Sequence, residues 1–138
     1  MAKRENSRKK LTRQELRDLD IEIGFIEAVV KRDPQYVDAL QILGDDYTRR
    51  GRFNDGLTVD EQLARLRPND ALVRYNLACS FALNEQLNSA VSALDQALKL
   101  GFRYFKWLIE DPDLANLHDH PGFKKLRNRI RTIQIKVR

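Results

Sequence analysis

The sequence predicts an all-α protein, a short α-solenoid of helix hairpins, and three observations lead there. Apolar residues recur at helical spacing along most of the chain. Similar phrases return at a fixed offset of 34 residues, the mark of stacked supersecondary units. Glycine and proline number only 6 and 4 of 138 residues, too few for a β-rich chain with many tight turns. The composition agrees: 42% apolar and 33% charged residues suit helices that stay half exposed on a stack.

The elements follow in order. Residues 1–11 are basic and polar, and are expected to form a disordered tail. Thr12 and Glu15 have the spacing of a capping box, which starts a helix whose stripe is Leu19, Ile23, Ile26 and Val30, ending at Asp33-Pro34. Leu40, Leu43, Gly44 and Tyr47 then share one face of a second helix, and Gly51 supplies its left-handed end. Phe53, Leu57, Leu63 and Leu66 give a third helix. A shift of 34 lays Leu43 on Leu77, Gly44 on Ala78, Tyr47 on Phe81, Leu57 on Val91 and Leu63 on Ala97. Gly44 and Ala78 are small where two helices of a hairpin cross, and a single hairpin cannot cover its own apolar face, so neighbouring copies must stack.

These residues resemble the tetratricopeptide repeat. The pattern slots hold Leu40, Leu43, Gly44, Tyr47, Gly56, Asp60 and Pro68 in one copy, residues 37–70. They hold Arg74, Leu77, Ala78, Phe81, Ala90, Leu94 and Phe102 in the next, residues 71–104, and Asp60, Arg74 and Phe102 depart from the family pattern. Residues 12–36 make half a repeat. Asp111-Pro112-Asp113-Leu114 and Pro121-Gly122-Phe123 resemble the capping ends of some bacterial members, with capping helices over 105–133 and a tail over 134–138. The resemblance implies a right-handed solenoid that works as a protein-binding adaptor, scaffold or chaperone-like module in which first helices line an inner groove. On the first copy the residues outside the packing stripe are Asp38, Gln41, Asp45, Thr48 and Arg49; on the second they are Tyr75, Asn76, Cys79, Ala82 and Leu83. The apolar set Tyr75, Cys79 and Leu83 reads either as a ligand anchor or as packing against the capping segment. With Asp38 and Asp45 it favours a partner segment carrying Lys or Arg and a bulky apolar side chain, whereas chaperone-tail carboxylates would be repelled.

The net charge of +5 is unevenly spread: residues 1–10 carry +4, residues 11–100 carry −4 and residues 101–138 carry +5. Basic ends admit an alternative partner, RNA or an anionic surface, with Lys124, Lys125, Arg127 and Arg131 on the outer face of the last helix. The run Phe102-Arg103-Tyr104-Phe105-Lys106-Trp107 interleaves aromatics and bases, and reads first as a cover for the open end of the stack. No enzyme is expected. The chain has no phosphate loop or nucleophile elbow, and His118-Asp119-His120 beside Asp111 and Asp113 lacks the ligand spacing of known zinc sites. Neither cofactor nor metal is implied. The single cysteine, Cys79, forms no intramolecular disulfide and reads as apolar filler in a reducing compartment. The stretch 21–30 is broken by Glu22 and Glu27, so no signal peptide or membrane span is expected, and the cytoplasm is the expected location. The oligomeric state stays open.

Overall fold

The computed structural model describes residues 10–136, and the expected tail over 1–11 lies almost entirely outside them. Among these residues seven α-helices and one 3₁₀ segment follow in order: α1 (Arg13–Arg32), α2 (Val37–Arg50), α3 (Phe53–Leu66), α4 (Ala71–Leu83), α5 (Leu87–Lys99), α6 (Phe105–Glu110), η1 (Pro112–Leu117) and α7 (Pro121–Lys136). No strand occurs among the described residues. From α1 to α5 each helix packs on the next one in the chain. Val37 and Ala71 open α2 and α4, and Phe53 and Leu87 open α3 and α5, so both pairs of helix starts are 34 residues apart.

Local chemistry explains the boundaries. Thr12 Oγ1 accepts from the Glu15 amide at 3.1 Å while Glu15 Oε1 accepts from the Thr12 amide at 2.9 Å, a full capping box at the start of α1. Gly51 ends α2 at φ +85°, a left-handed conformation that only glycine takes without strain. Asp70 opens α4 by accepting from the amides of Leu72 and Val73. Pro112 and Pro121 each begin a helical segment, where the missing N–H costs nothing. The segment at Pro112 closes as a 3₁₀ turn, and α7 runs three residues beyond the expected 133, with Ile133 half-buried along it.

Two apolar clusters hold these helices. One joins Leu19 and Ile23 of α1 to Leu40 and Leu43 of α2, Leu63 of α3 and Leu77 of α4. The other joins Ala78 and Leu94 to the C-terminal segments through Leu108, Leu114, Leu117 and Phe123, all fully enclosed. Each such buried Leu or Phe stabilises the fold by roughly 1.5–3 kcal/mol before its conformational cost. Phe81 of α4 packs against both clusters, so the helix pairs share one continuous interior.

At the α2–α3 crossing the backbones come close through two facing glycines. A Cβ on Gly44 would stand 3.1 Å from Asp60 Oδ1 and 3.4 Å from Val59 Cγ1, and one on Gly56 would stand 3.2 Å from Thr48 Oγ1. Asp60, which departs from the repeat pattern, is 2% exposed and accepts a hydrogen bond from the Ser80 hydroxyl of α4. It therefore ties α3 to α4 by a polar contact where the pattern has an apolar one. Gly44→Leu should overpack this crossing and destabilise the protein by about 1–3 kcal/mol, as should Ala78→Leu at its fully enclosed counterpart. Thermal melting checks both; if they melt with the parent, the stability does not depend on these close approaches.

Candidate peptide-binding surface

On α2 the outward residues are set by helical periodicity. Asp38, Gln41, Ile42, Asp45 and Arg49 lie within one face, opposite the buried Leu40, Leu43 and Tyr47. Leu72, Asn76 and Leu83 do the same on α4. The two faces meet in a shallow cleft of about 20 Å³ where Gln41 and Asp45 approach Leu72 and Asn76, with Asp60 and Leu63 of α3 behind them. Gln41, Asp45 and Asn76, singled out as groove residues from the sequence, are thus brought together. Asp38 and Arg49 are exposed on the same side of α2, and Arg49 Nη1 stands 3.9 Å from Asp46 Oδ1.

Four of the expected groove residues face inward instead. Tyr75 is 2% exposed, and Cys79 and Ala82 are fully enclosed. The chain from Asp111 to Leu117 lies across that flank of α4: Tyr75 Oη donates to Asp111 Oδ2 at 2.6 Å, the Cys79 thiol approaches the same oxygen at 3.8 Å, and Asn116 Nδ2 donates to Ala82 O at 2.8 Å. Burial, followed by the neighbouring Cys79 and Asp111, pushes the Tyr75 phenol far up, so it remains a donor. Thr48 is buried because its hydroxyl bonds back to Gly44 O at 3.1 Å against Gly56. Of the two readings of the Tyr75–Cys79–Leu83 patch, packing against the capping segment describes Tyr75 and Cys79; Leu83 stays half-buried at its edge.

Two apolar positions of this surface escaped the sequence reading. Ile42 is 44% exposed between Asp38 and Asp45, and Leu72 lines the cleft. Helical spacing alone would have found Ile42, since it falls outside the stripe of Leu40, Leu43 and Tyr47. The apolar component of the surface is therefore carried by Ile42 and Leu72 rather than by Tyr75 and Cys79.

The aromatic run after α5 turns largely onto itself. Phe102 is buried and stacks on Tyr75 with ring centroids 4.4 Å apart, and Tyr104 stacks on Trp107 at 4.7 Å. On α7, Lys124, Lys125 and Arg131 are exposed, while Arg127 is half-buried with its guanidinium 5.5 Å from the Phe123 ring. Arg129 is engaged by Asp95 of α5, whose carboxyl is held below its usual range chiefly by that hydrogen bond.

Cys79, Asp111 and Asp113 bring a thiol and two carboxylates within 4.8 Å of one another, a donor set able to approach a metal ion. Protein donors account for Asp111: Oδ1 takes the Asp113 amide at 3.0 Å and Oδ2 takes Tyr75. Its role is that of an N-cap fastened to α4. The two histidines are likewise engaged. His118 stacks on Phe123, and His120 Nδ1 accepts from the Gly122 amide at 2.9 Å, which leaves Nε2 to donate to Asn88 Oδ1 at 2.7 Å.

No protein-family model matches the chain. It is similar to a chloroplastic protein of Arabidopsis thaliana, with 30% identity over 86 residues. That alignment takes in 60% of this chain and 26% of the relative, so the chain spans about a quarter of that relative's length. Among the described residues no helix is long and apolar enough to cross a membrane.

Proposed function

We propose that the chain is a tetratricopeptide-type solenoid, and that it works as an adaptor which holds a peptide or helix of a partner protein across α2 and α4. The observation that carries this reading is the convergence of Gln41 and Asp45 with Asn76 in one cleft, from helices that begin 34 residues apart. That is the arrangement expected when first helices of successive repeats line an inner surface. The chemistry of the surface specifies the ligand. Asp38 and Asp45 attract Lys or Arg, Ile42 and Leu72 accept an apolar side chain, and the amides of Gln41 and Asn76 can pair with a peptide backbone. The reading includes no catalytic step, and the cytoplasm is the proposed compartment, although the Arabidopsis relative is by its name a chloroplast protein.

The test is a selection of random peptides on the intact chain, followed by calorimetry with the enriched sequences. Those binding this surface should carry a basic residue near a bulky apolar one. Asp45→Arg should weaken them by about tenfold or more, and Ile42→Asp should do likewise, because a charge then meets the ligand's apolar side chain. Lys125→Glu, on α7, should leave their affinity unchanged. Ligands indifferent to both surface changes would place binding elsewhere.

A further inference from the structure

We propose a second docking site of opposite charge preference: the cleft between α6 and α7 takes an acidic peptide segment that carries a bulky apolar side chain. The cleft encloses about 400 Å³, within the roughly 300–1,000 Å³ typical of ligand sites. Phe105 and Ile109, one turn apart on α6, and Ile130 of α7 form its apolar part. Lys106, Arg127 and Arg131 stand around them, and Glu110 supplies the one carboxylate among the lining residues. The helix behind the cleft reinforces this sign, since α7 holds six basic residues and no acidic one. Lys124 and Lys125 extend the positive field toward its N-terminal end.

Two features favour a peptide over a nucleic acid. Phe105, Ile109 and Ile130 lie between the cations, which suits a Leu or Phe side chain flanked by carboxylates, whereas a phosphate chain would meet the cations and leave that apolar surface uncovered. Of the aromatics that could stack on bases, Phe102 is engaged with Tyr75 and Tyr104 with Trp107, and Phe105 is the one aromatic among the lining residues, too few for a platform under successive bases. Arg127 is also held in place beforehand, by the Phe123 ring and by the carbonyl of His118 at 3.5 Å, so little side-chain freedom is lost when it meets a carboxylate. Charge complementarity thus selects the occupant, and it is the reverse of that proposed for the α2–α4 surface.

Fluorescence anisotropy on the full chain provides the test, with a labelled peptide in which a Leu or Phe is flanked by Asp and Glu. Binding should weaken severalfold as salt rises from about 50 to about 300 mM, as expected for an exposed charged site. Lys106→Glu combined with Arg131→Glu should reduce affinity roughly tenfold or more, and both positions are exposed, so the fold is retained. Ile109→Asp should reduce it comparably. Asp45→Arg, in the other cleft, should leave it unchanged, which separates failure of one site from failure of the other. The proposal is overturned if the double charge reversal has no effect, or if an acidic peptide without its apolar residue binds equally well. It is also overturned if single-stranded RNA binds more tightly through the same residues, or if the double reversal instead abolishes self-association of the chain.

Discussion

Asp111→Ala should lower the unfolding free energy by about 3–4 kcal/mol. Asp111 is 3% exposed and stands where three parts of the chain meet. Its amide ends α6 by donating to Trp107 O at 2.7 Å, and its Oδ1 caps η1 through the Asp113 amide. Its Oδ2 receives the Tyr75 hydroxyl from α4. Truncation strands a buried phenol and an amide together, and each such loss costs about 1–3 kcal/mol without being fully additive. Asp111→Asn keeps one acceptor oxygen and should lose less. Tyr75→Phe should cost less in the Asp111→Ala background than alone, because the hydroxyl has no acceptor there. Urea unfolding followed by circular dichroism measures all of these variants against the parent. A loss below about 1 kcal/mol for Asp111→Ala would mean that the capping segment is held by its apolar contacts alone, through Leu114, Leu117 and Phe123.

Asp46→Asn should stabilise the protein above pH 8, and the gain should vanish in acid. Asp46 is 3% exposed, and among the described residues no N–H or O–H donor reaches its Oδ2. Burial, then a hydrogen bond with Glu22 of α1 and that group's charge, raises its pKa from 3.8 to about 8, so Asp46 holds the proton it shares with Glu22. The sign follows from proton linkage: between 3.8 and about 8 the folded state binds more protons than the unfolded chain at this group. Its contribution is therefore fully present below the unfolded value and is lost as pH rises through the folded one. Asparagine cannot ionise and still donates to Glu22. The stability difference, variant minus parent, should thus be smallest near pH 4 and grow to on the order of 3 kcal/mol above pH 8. Comparing the two proteins cancels the carboxylates that behave oppositely, such as Asp95 with its lowered pKa. Denaturant midpoints across that range decide it, and a difference that is flat with pH would show that the two carboxylates do not share a proton.

The helices were legible because their signals are local. The Thr12–Glu15 box, the Gly51 terminus and the stripe of Leu40, Leu43 and Tyr47 each depend on residues within two turns of one another. The close approach at Gly44 was legible as well, since a small residue returned as Ala78 after 34 positions. The candidate surface was legible only by half. Gln41, Asp45 and Asn76 follow from helical phase, but phase cannot tell whether another segment covers a given flank. Tyr75 and Cys79 lie on the flank of α4 beside Asn76, and that flank is covered by what the chain does more than thirty residues later.

The amino-acid sequence by itself determined an all-α chain, the signals at Thr12 and Gly51 that start α1 and end α2, and the apolar stripes that these two helices turn inward. Capping, glycine geometry and the 3.6-residue period act over a few residues and need no knowledge of the rest. Only the tertiary structure decided that residues 111–117 lie across α4, with Tyr75 and Cys79 closed beneath them. It also decided that Asp46 meets Glu22, and that the basic α7 faces α6 across a cleft that joins apolar and cationic side chains. Those outcomes depend on contacts between residues distant in the chain, where burial and shared hydrogen bonds offset the desolvation of groups that look in sequence like ordinary surface.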